Sequence, residues 1–186
     1  MKALDRFLQR WRIAKASAFI PSGARILDIG CGDGALFKQL DGLIGEGVGL
    51  DPTLPAPVNT ARYRLLPGYF PAALPDSQPF DAITLLAVLE HIPISHQLSF
   101  AADCARLLEA NGLLLVTVPS PRVDQILGVL KCLHLIDGMS LEEHYGFDPR
   151  QTPDVFSVPG LTLVKSATFQ CGLNHLFVFK KTETAA

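Results

Sequence analysis

The heptad Asp28-Ile29-Gly30-Cys31-Gly32-Asp33-Gly34 carries glycine at every second position from Gly30, with acids at its first and sixth places. Glycines let the backbone approach a ligand closely, and the unpaired amides of a following helix can point at it. The loop is therefore read as a cradle for a nucleotide-like cofactor. Glycines alone do not choose which one, because Gly30-Cys31-Gly32-Asp33-Gly34-Ala35 also satisfies the dinucleotide pattern, with Asp51 standing 21 residues after Gly30. The acids narrow the choice. Asp28 sits where a dinucleotide fold would place an apolar residue, and Asp33 brings negative charge to the helix start that a pyrophosphate would need. Both disfavour a diphosphate and suit a cationic ligand.

Two histidines are candidates for proton transfer, since imidazole titrates near neutral pH. His91, in Glu90-His91, follows an apolar strand at the sheet end where ligands of open α/β folds collect. His144 lies in Glu142-Glu143-His144-Tyr145, an ionisable cluster inside an otherwise apolar stretch. A capping or core-edge role explains the first as well, and a surface helix end the second. No metal is expected: Glu143, His144 and Asp148 match no standard ligand spacing.

The elements that must position these groups alternate. Residues 25–29 read as a short apolar strand running into the loop, and residues 34–40 as the helix that leaves it. Residues 48–51 form a second strand ending on Asp51, and residues 63–66 a third. Between them Pro52, Pro55 and Pro57 leave little room for a crossover helix. Residues 80–86 are a continuously apolar central strand. A helix over 95–108 follows, with Leu98, Ala101, Ala102, Ala105 and Leu108 on one face, and Asn111-Gly112 turns the chain into a strand over 113–118. Thr152-Pro153 reads as a helix start capped by Thr152, stopped by Pro159-Gly160 after barely two turns. Strands over 161–169 and 175–180 close the chain as a hairpin. Strands alternating with helices imply parallel β-α-β units in a doubly wound, Rossmann-like α/β sheet.

Two segments stand apart. Residues 1–20 form an amphipathic helix with a basic side, whose apolar set is Leu4, Phe7, Leu8, Trp11, Ala14 and Ala18. It is read as packed on the domain, with contact to a membrane surface or a cover over the substrate as alternatives. Residues 120–146 are read as an insertion over the sheet edge, on the substrate side. Its apolar stripe suits an apolar acceptor, docking on the first helix, or a second subunit.

Residues 26–34 resemble the first motif of the class I S-adenosylmethionine-dependent methyltransferases, particularly the bacterial type 11 small-molecule group. The likeness continues in order through Val48-Gly49-Leu50-Asp51, then Phe80-Asp81 to Glu90-His91, then Arg106-Leu107-Leu108 to Asn111-Gly112 and Val118-Pro119. It is firm over residues 20–120 and loose beyond. The resemblance implies a mostly parallel seven-stranded sheet with an antiparallel last strand, and S-adenosylmethionine as cofactor with S-adenosylhomocysteine as product. It implies that Gly30 and Gly32 contact the cofactor's amino acid part through their backbone, that Asp28 reaches its ammonium, and that Asp51 accepts both ribose hydroxyls. Cys31, Gly34, Pro52 and Leu86 complete the implied contact set. The family's acid for the adenine amino group is replaced here by Gly68-Tyr69, followed by Phe70, so adenine is expected to rest on backbone groups and on Tyr69 or Phe70, with simple core packing of these rings as the alternative. A non-catalytic module that binds S-adenosylmethionine or S-adenosylhomocysteine is the alternative.

Composition bounds the rest. The 186 residues suit one domain, and 48% hydrophobic against 18% charged residues describe a core-rich globular chain. A formal charge of −2 without long runs of one sign gives no footprint for DNA or RNA. The four cysteines form no Cys-x-x-Cys pair, which fits a reducing cytoplasm. No window reaches the about 20 apolar residues of a bilayer span. A small-molecule substrate and a monomer or homodimer are the expected partners.

Overall fold

The structure, a computed structural model, describes residues 3–75, 78–120 and 147–182. The first strand, β1 (Arg25–Ile29), is flanked by β2 (Glu46–Asp51) on one side and β5 (Phe80–Leu86) on the other, both parallel to it. A chain that leaves its first strand in one direction and later returns on the other side opens a crevice at the strands' C-terminal ends, and the glycine loop lies there. With β3 (Val58–Asn59), β4 (Tyr63–Pro67), β6 (Leu108–Pro119), β7 (Leu161–Phe169) and β8 (Asn174–Lys181), the sheet has the order β3-β4-β2-β1-β5-β6-β8-β7. It is mostly parallel, and β8 runs antiparallel between β6 and β7.

Seven of these strands are the expected set. The eighth, β3, is two residues long and pairs antiparallel with β4 at the edge. It occupies the link where a crossover helix is absent, after Pro52, Pro55 and Pro57. Elsewhere the crossovers are helical: α2 (Ala35–Gln39) joins β1 to β2, and α3 (Ile94–Leu107) joins β5 to β6.

Because helices cover both faces, the central strands bury residues of both parities. Leu27, Ile29, Ile83, Leu85, Leu114 and Val116 pack with Ala101, Cys104 and Ala105 of α3 and with Phe156 beyond α4 (Thr152–Val155). Ile26 and Ala82 pack instead with Leu36 and Phe37 of α2 and with Ile13 of α1 (Ala3–Ser17). Two hydrogen bonds fix α1: Gln39 Nε2 donates to the Arg10 carbonyl at 3.3 Å and Gln170 Nε2 to the Leu8 carbonyl at 2.8 Å.

Three local expectations are corrected. On α1 the buried stripe runs through Ile13 and Ala16, while Phe7 is exposed and Arg12 of the supposed basic side turns inward. On α3 the inner face is Gln97, Ala101, Cys104 and Ala105, leaving Leu98 and Ala102 outside; helical period alone does not choose between adjacent faces when apolar residues occupy both. Thr152 does not cap α4. Pro149 starts a 3-10 turn before it, so Thr152 lies inside the helical run, fully buried, and Asp148 accepts from the Arg150 amide at 2.9 Å. The helix is accordingly one turn long.

Residues 121–146, nearly all of the expected insertion, lie outside the described residues, and His144 with them. No helix among the described residues is long and apolar enough to cross a membrane.

Candidate cofactor site

The loop is pinned before any ligand is considered. Gly30 and Cys31 donate their amides to the Leu50 carbonyl at 2.8 and 3.2 Å, which fastens the loop to the end of β2. Gly32 donates its amide to Asp51 Oδ2 at 2.8 Å. Gly32 has φ +52, and a Cβ built there would meet no protein atom within 4 Å. Its missing side chain therefore faces open space. At Gly30, with φ +76, a Cβ would instead strike the Val88 side chain. Ala87, itself left-handed at φ 62, turns the chain after β5 immediately before Val88.

Asp28 is buried on β1, and Thr84 stands opposite it on β5. Thr84 Oγ1 donates to Asp28 Oδ1 at 2.6 Å. Burial pushes the Asp28 carboxyl up from the ordinary 3.8 to about 7, against the Thr84 hydrogen bond and with help from the charge of Asp51. Asp51, at the end of β2, is also buried; its Oδ1 accepts from the Thr53 amide at 2.8 Å and the Thr53 hydroxyl at 2.6 Å. Two buried carboxylates beside one open glycine make a site that favours a cation and hydroxyl donors.

The other expected contacts divide. Cys31 turns its thiol into the core beside Gly49, and burial, then Asp28 and Asp51, push that thiol well up. Gly34 caps α2 in a left-handed conformation and packs against Leu65. Asp33 is exposed and paired with Lys38 at 3.0 Å, so the second acid of the pocket is Asp51. Gly68 donates its amide to the Asp51 carbonyl at 3.2 Å, which brings the loop after β4 beside the pocket. There Tyr69 is 75% exposed, whereas Phe70 is half-buried and set edge-on to Phe100 at 4.9 Å. Pro52 is exposed next to Asp51, and Leu86 is half-buried at the end of β5.

His91 ends the 3-10 turn Leu89–His91 beyond β5 and is half-buried. Beside it Glu90 is buried, and its charge opposes the lowering of the Arg12 guanidinium by burial on α1. Thr84 and Thr53 are not marked out by the sequence, and Arg12 reads there only as part of a solvated basic side. The signal for Thr84 is a hydroxyl in an otherwise apolar run, one that becomes specific only once β1 and β5 are neighbours. Among the described residues no three His, Cys, Asp or Glu side chains could hold a metal ion.

The family model described as a methyltransferase domain matches residues 2–162. The chain belongs to the class I S-adenosylmethionine-dependent methyltransferases. The ubiquinone biosynthesis O-methyltransferase of Glaesserella parasuis serovar 5 (strain SH0165) is 32% identical over 109 residues, covering 51% of this chain and 45% of the relative. That of Nitrosococcus oceani is 35% identical over 101 residues, covering 49% and 42%. The chain thus spans less than half the length of these curated relatives. In fold it resembles the Burkholderia thailandensis 1,6-didemethyltoxoflavin-N1-methyltransferase, solved with 1,6-didemethyltoxoflavin and S-adenosylhomocysteine, with a TM-score of 0.64 at 18% identity, over 94% of this chain and 78% of that one. The methyltransferase cofactor fits the residues present: Gly32 leaves room for close approach, and the carboxylates match a ligand bearing an ammonium, a sulfonium and ribose hydroxyls.

Proposed function

We propose that this methyltransferase carries the methyl group of S-adenosylmethionine to a small-molecule acceptor, with an apolar or aromatic hydroxyl compound as the favoured class. The observation that carries the first part is the pair of buried, electrostatically coupled carboxylates Asp28 and Asp51 at the glycine loop, Asp51 accepting the amide of Gly32, whose missing side chain leaves open space. The acceptor class is supported by the O-methyltransferase relatives and by the apolar residues of 121–146. When bound, the cofactor supplies a methyl group on a sulfonium with a neutral thioether as leaving group, so alignment is most of what the protein must provide.

Asp28 would hold the ammonium. Asp51, its carboxylate already oriented by Gly32 and Thr53, would accept from the ribose, and Tyr69 offers the exposed ring for adenine. At the acceptor, His91 would take the proton of the hydroxyl that receives the methyl group.

Incubation with radiolabelled S-adenosylmethionine and parallel panels of lipophilic phenols and polar metabolites tests this reading. Label is expected in a phenol ether, with a rate that rises with pH to a plateau. His91→Ala should lose that rise and about 10²-fold or more in rate; full activity there and in His144→Phe would leave alignment alone as the catalyst. Binding of S-adenosylhomocysteine without methylation of any acceptor would favour a non-catalytic module instead.

A further inference from the structure

We propose that Thr84 is a positioning residue for the cofactor's amino acid end, its hydroxyl fixing Asp28 so that the second carboxylate oxygen is presented to the ammonium. The inference rests on the reading of Asp28 as the ammonium's partner and goes one residue beyond it.

Asp28 and Thr84 are direct register partners on adjacent parallel strands, so their side chains leave the same face of the sheet side by side. Thr84 is fully buried in a strand whose other buried residues are Phe80, Ala82, Ile83 and Leu85. A valine would fill the same space, and a buried hydroxyl costs free energy unless it is bonded. The single hydroxyl proton has a strong acceptor in Asp28 Oδ1 at 2.6 Å; the Leu27 carbonyl at 3.4 Å is a far weaker alternative. Threonine's branched Cβ restricts χ1, so the donor is held in place rather than found by rotation. One carboxylate oxygen is thereby committed and the carboxylate plane fixed. Without that donor, Asp28 would keep its burial and its repulsion from Asp51, and would lose the one hydrogen bond that favours its charged form.

The titratable groups facing Asp28 are Asp51 from the end of β2 and the Cys31 thiol from the loop. Asp51 disfavours further negative charge and the thiol, itself pushed well up, stays neutral and offers no compensating charge, so removing the Thr84 hydroxyl should move the ionisation that cofactor binding requires to higher pH.

The test is calorimetric titration of the whole chain with S-adenosylhomocysteine and with 5′-methylthioadenosine, which keeps the thioether nucleoside and lacks the amino acid. Thr84→Val is expected to weaken S-adenosylhomocysteine on the order of tenfold or more while leaving 5′-methylthioadenosine within about twofold. Its pH profile for S-adenosylhomocysteine should shift upward, and Thr84→Ser should restore both affinity and profile. Thr84→Ala gives the same comparison if the valine variant does not fold. Unchanged S-adenosylhomocysteine affinity in a folded variant, or equal loss for both ligands, would overturn the inference while the cofactor reading stands. A wild-type chain that binds neither ligand would overturn that reading and this inference together.

Discussion

Asp28 sets two requirements against each other, because the burial that makes its charge effective toward a cation also makes that charge costly when no cation is present. Its folded pKa of about 7 lies above the ordinary 3.8, so the folded chain holds a proton that the unfolded chain has released between those values. Its contribution to stability is therefore fully present below about pH 4 and is lost as pH rises through about 7. Asp28→Asn is accordingly expected to melt above the wild type at pH 8, with the gap narrowing at pH 5, and to bind S-adenosylhomocysteine poorly at both. Thermal melts at the two values check the sign; a gap that widens on acidification would contradict it. At this scale the sequence was legible where chemistry is unusual for its place. An acid ending an apolar strand is visible in one dimension, and so are Asp51 and the glycines. Thr84 is not, since its role depends on a strand more than fifty positions away.

At the scale of elements, the glycine loop separates folding from binding. Gly30 and Gly32 share a left-handed backbone, yet only Gly30 faces protein. Gly30→Ala adds a collision with Val88 to the backbone strain and should cost about 2 kcal/mol or more. Gly32→Ala should cost about 1 kcal/mol from strain alone, yet reduce S-adenosylhomocysteine affinity at least tenfold by placing a methyl in the open space. Denaturant midpoints and calorimetry on the same pair of variants would show the two losses parting. Element existence was readable from apolar runs bounded by Gly and Pro, and the prolines after Asp51 correctly predicted a link without a helix. Element facing was less readable. On α1 and α3 apolar residues lie on more than one side, so the buried face was decided by packing on the sheet, and Arg12 went inward opposite Glu90.

For the whole molecule, the parallel centre followed from alternation and the closing hairpin from its two apolar strands, but not which of those two strands lies outermost. β7 exposes Thr162 to Thr168 on both faces, with Leu163 and Val164 among them, so it is an open edge of a kind that invites pairing between chains. Two devices counter this: a register shift between Leu163 and Lys165, and Lys165 itself, whose ammonium sits 5.2 Å from the Phe19 ring. Lys165→Val is expected to increase self-association in sedimentation or light scattering with little change in melting temperature; unaltered behaviour at high concentration would show that the shift suffices. The bond from Gln170 to Leu8 spans 162 positions and ties α1 to the turn of the last hairpin. During synthesis α1 emerges from the ribosome ahead of the sheet it will cover, yet it cannot complete its contacts until β7 and β8 have formed. This 15-residue helix, made before the sheet it covers, is fully docked only after the last strands of that sheet are in place.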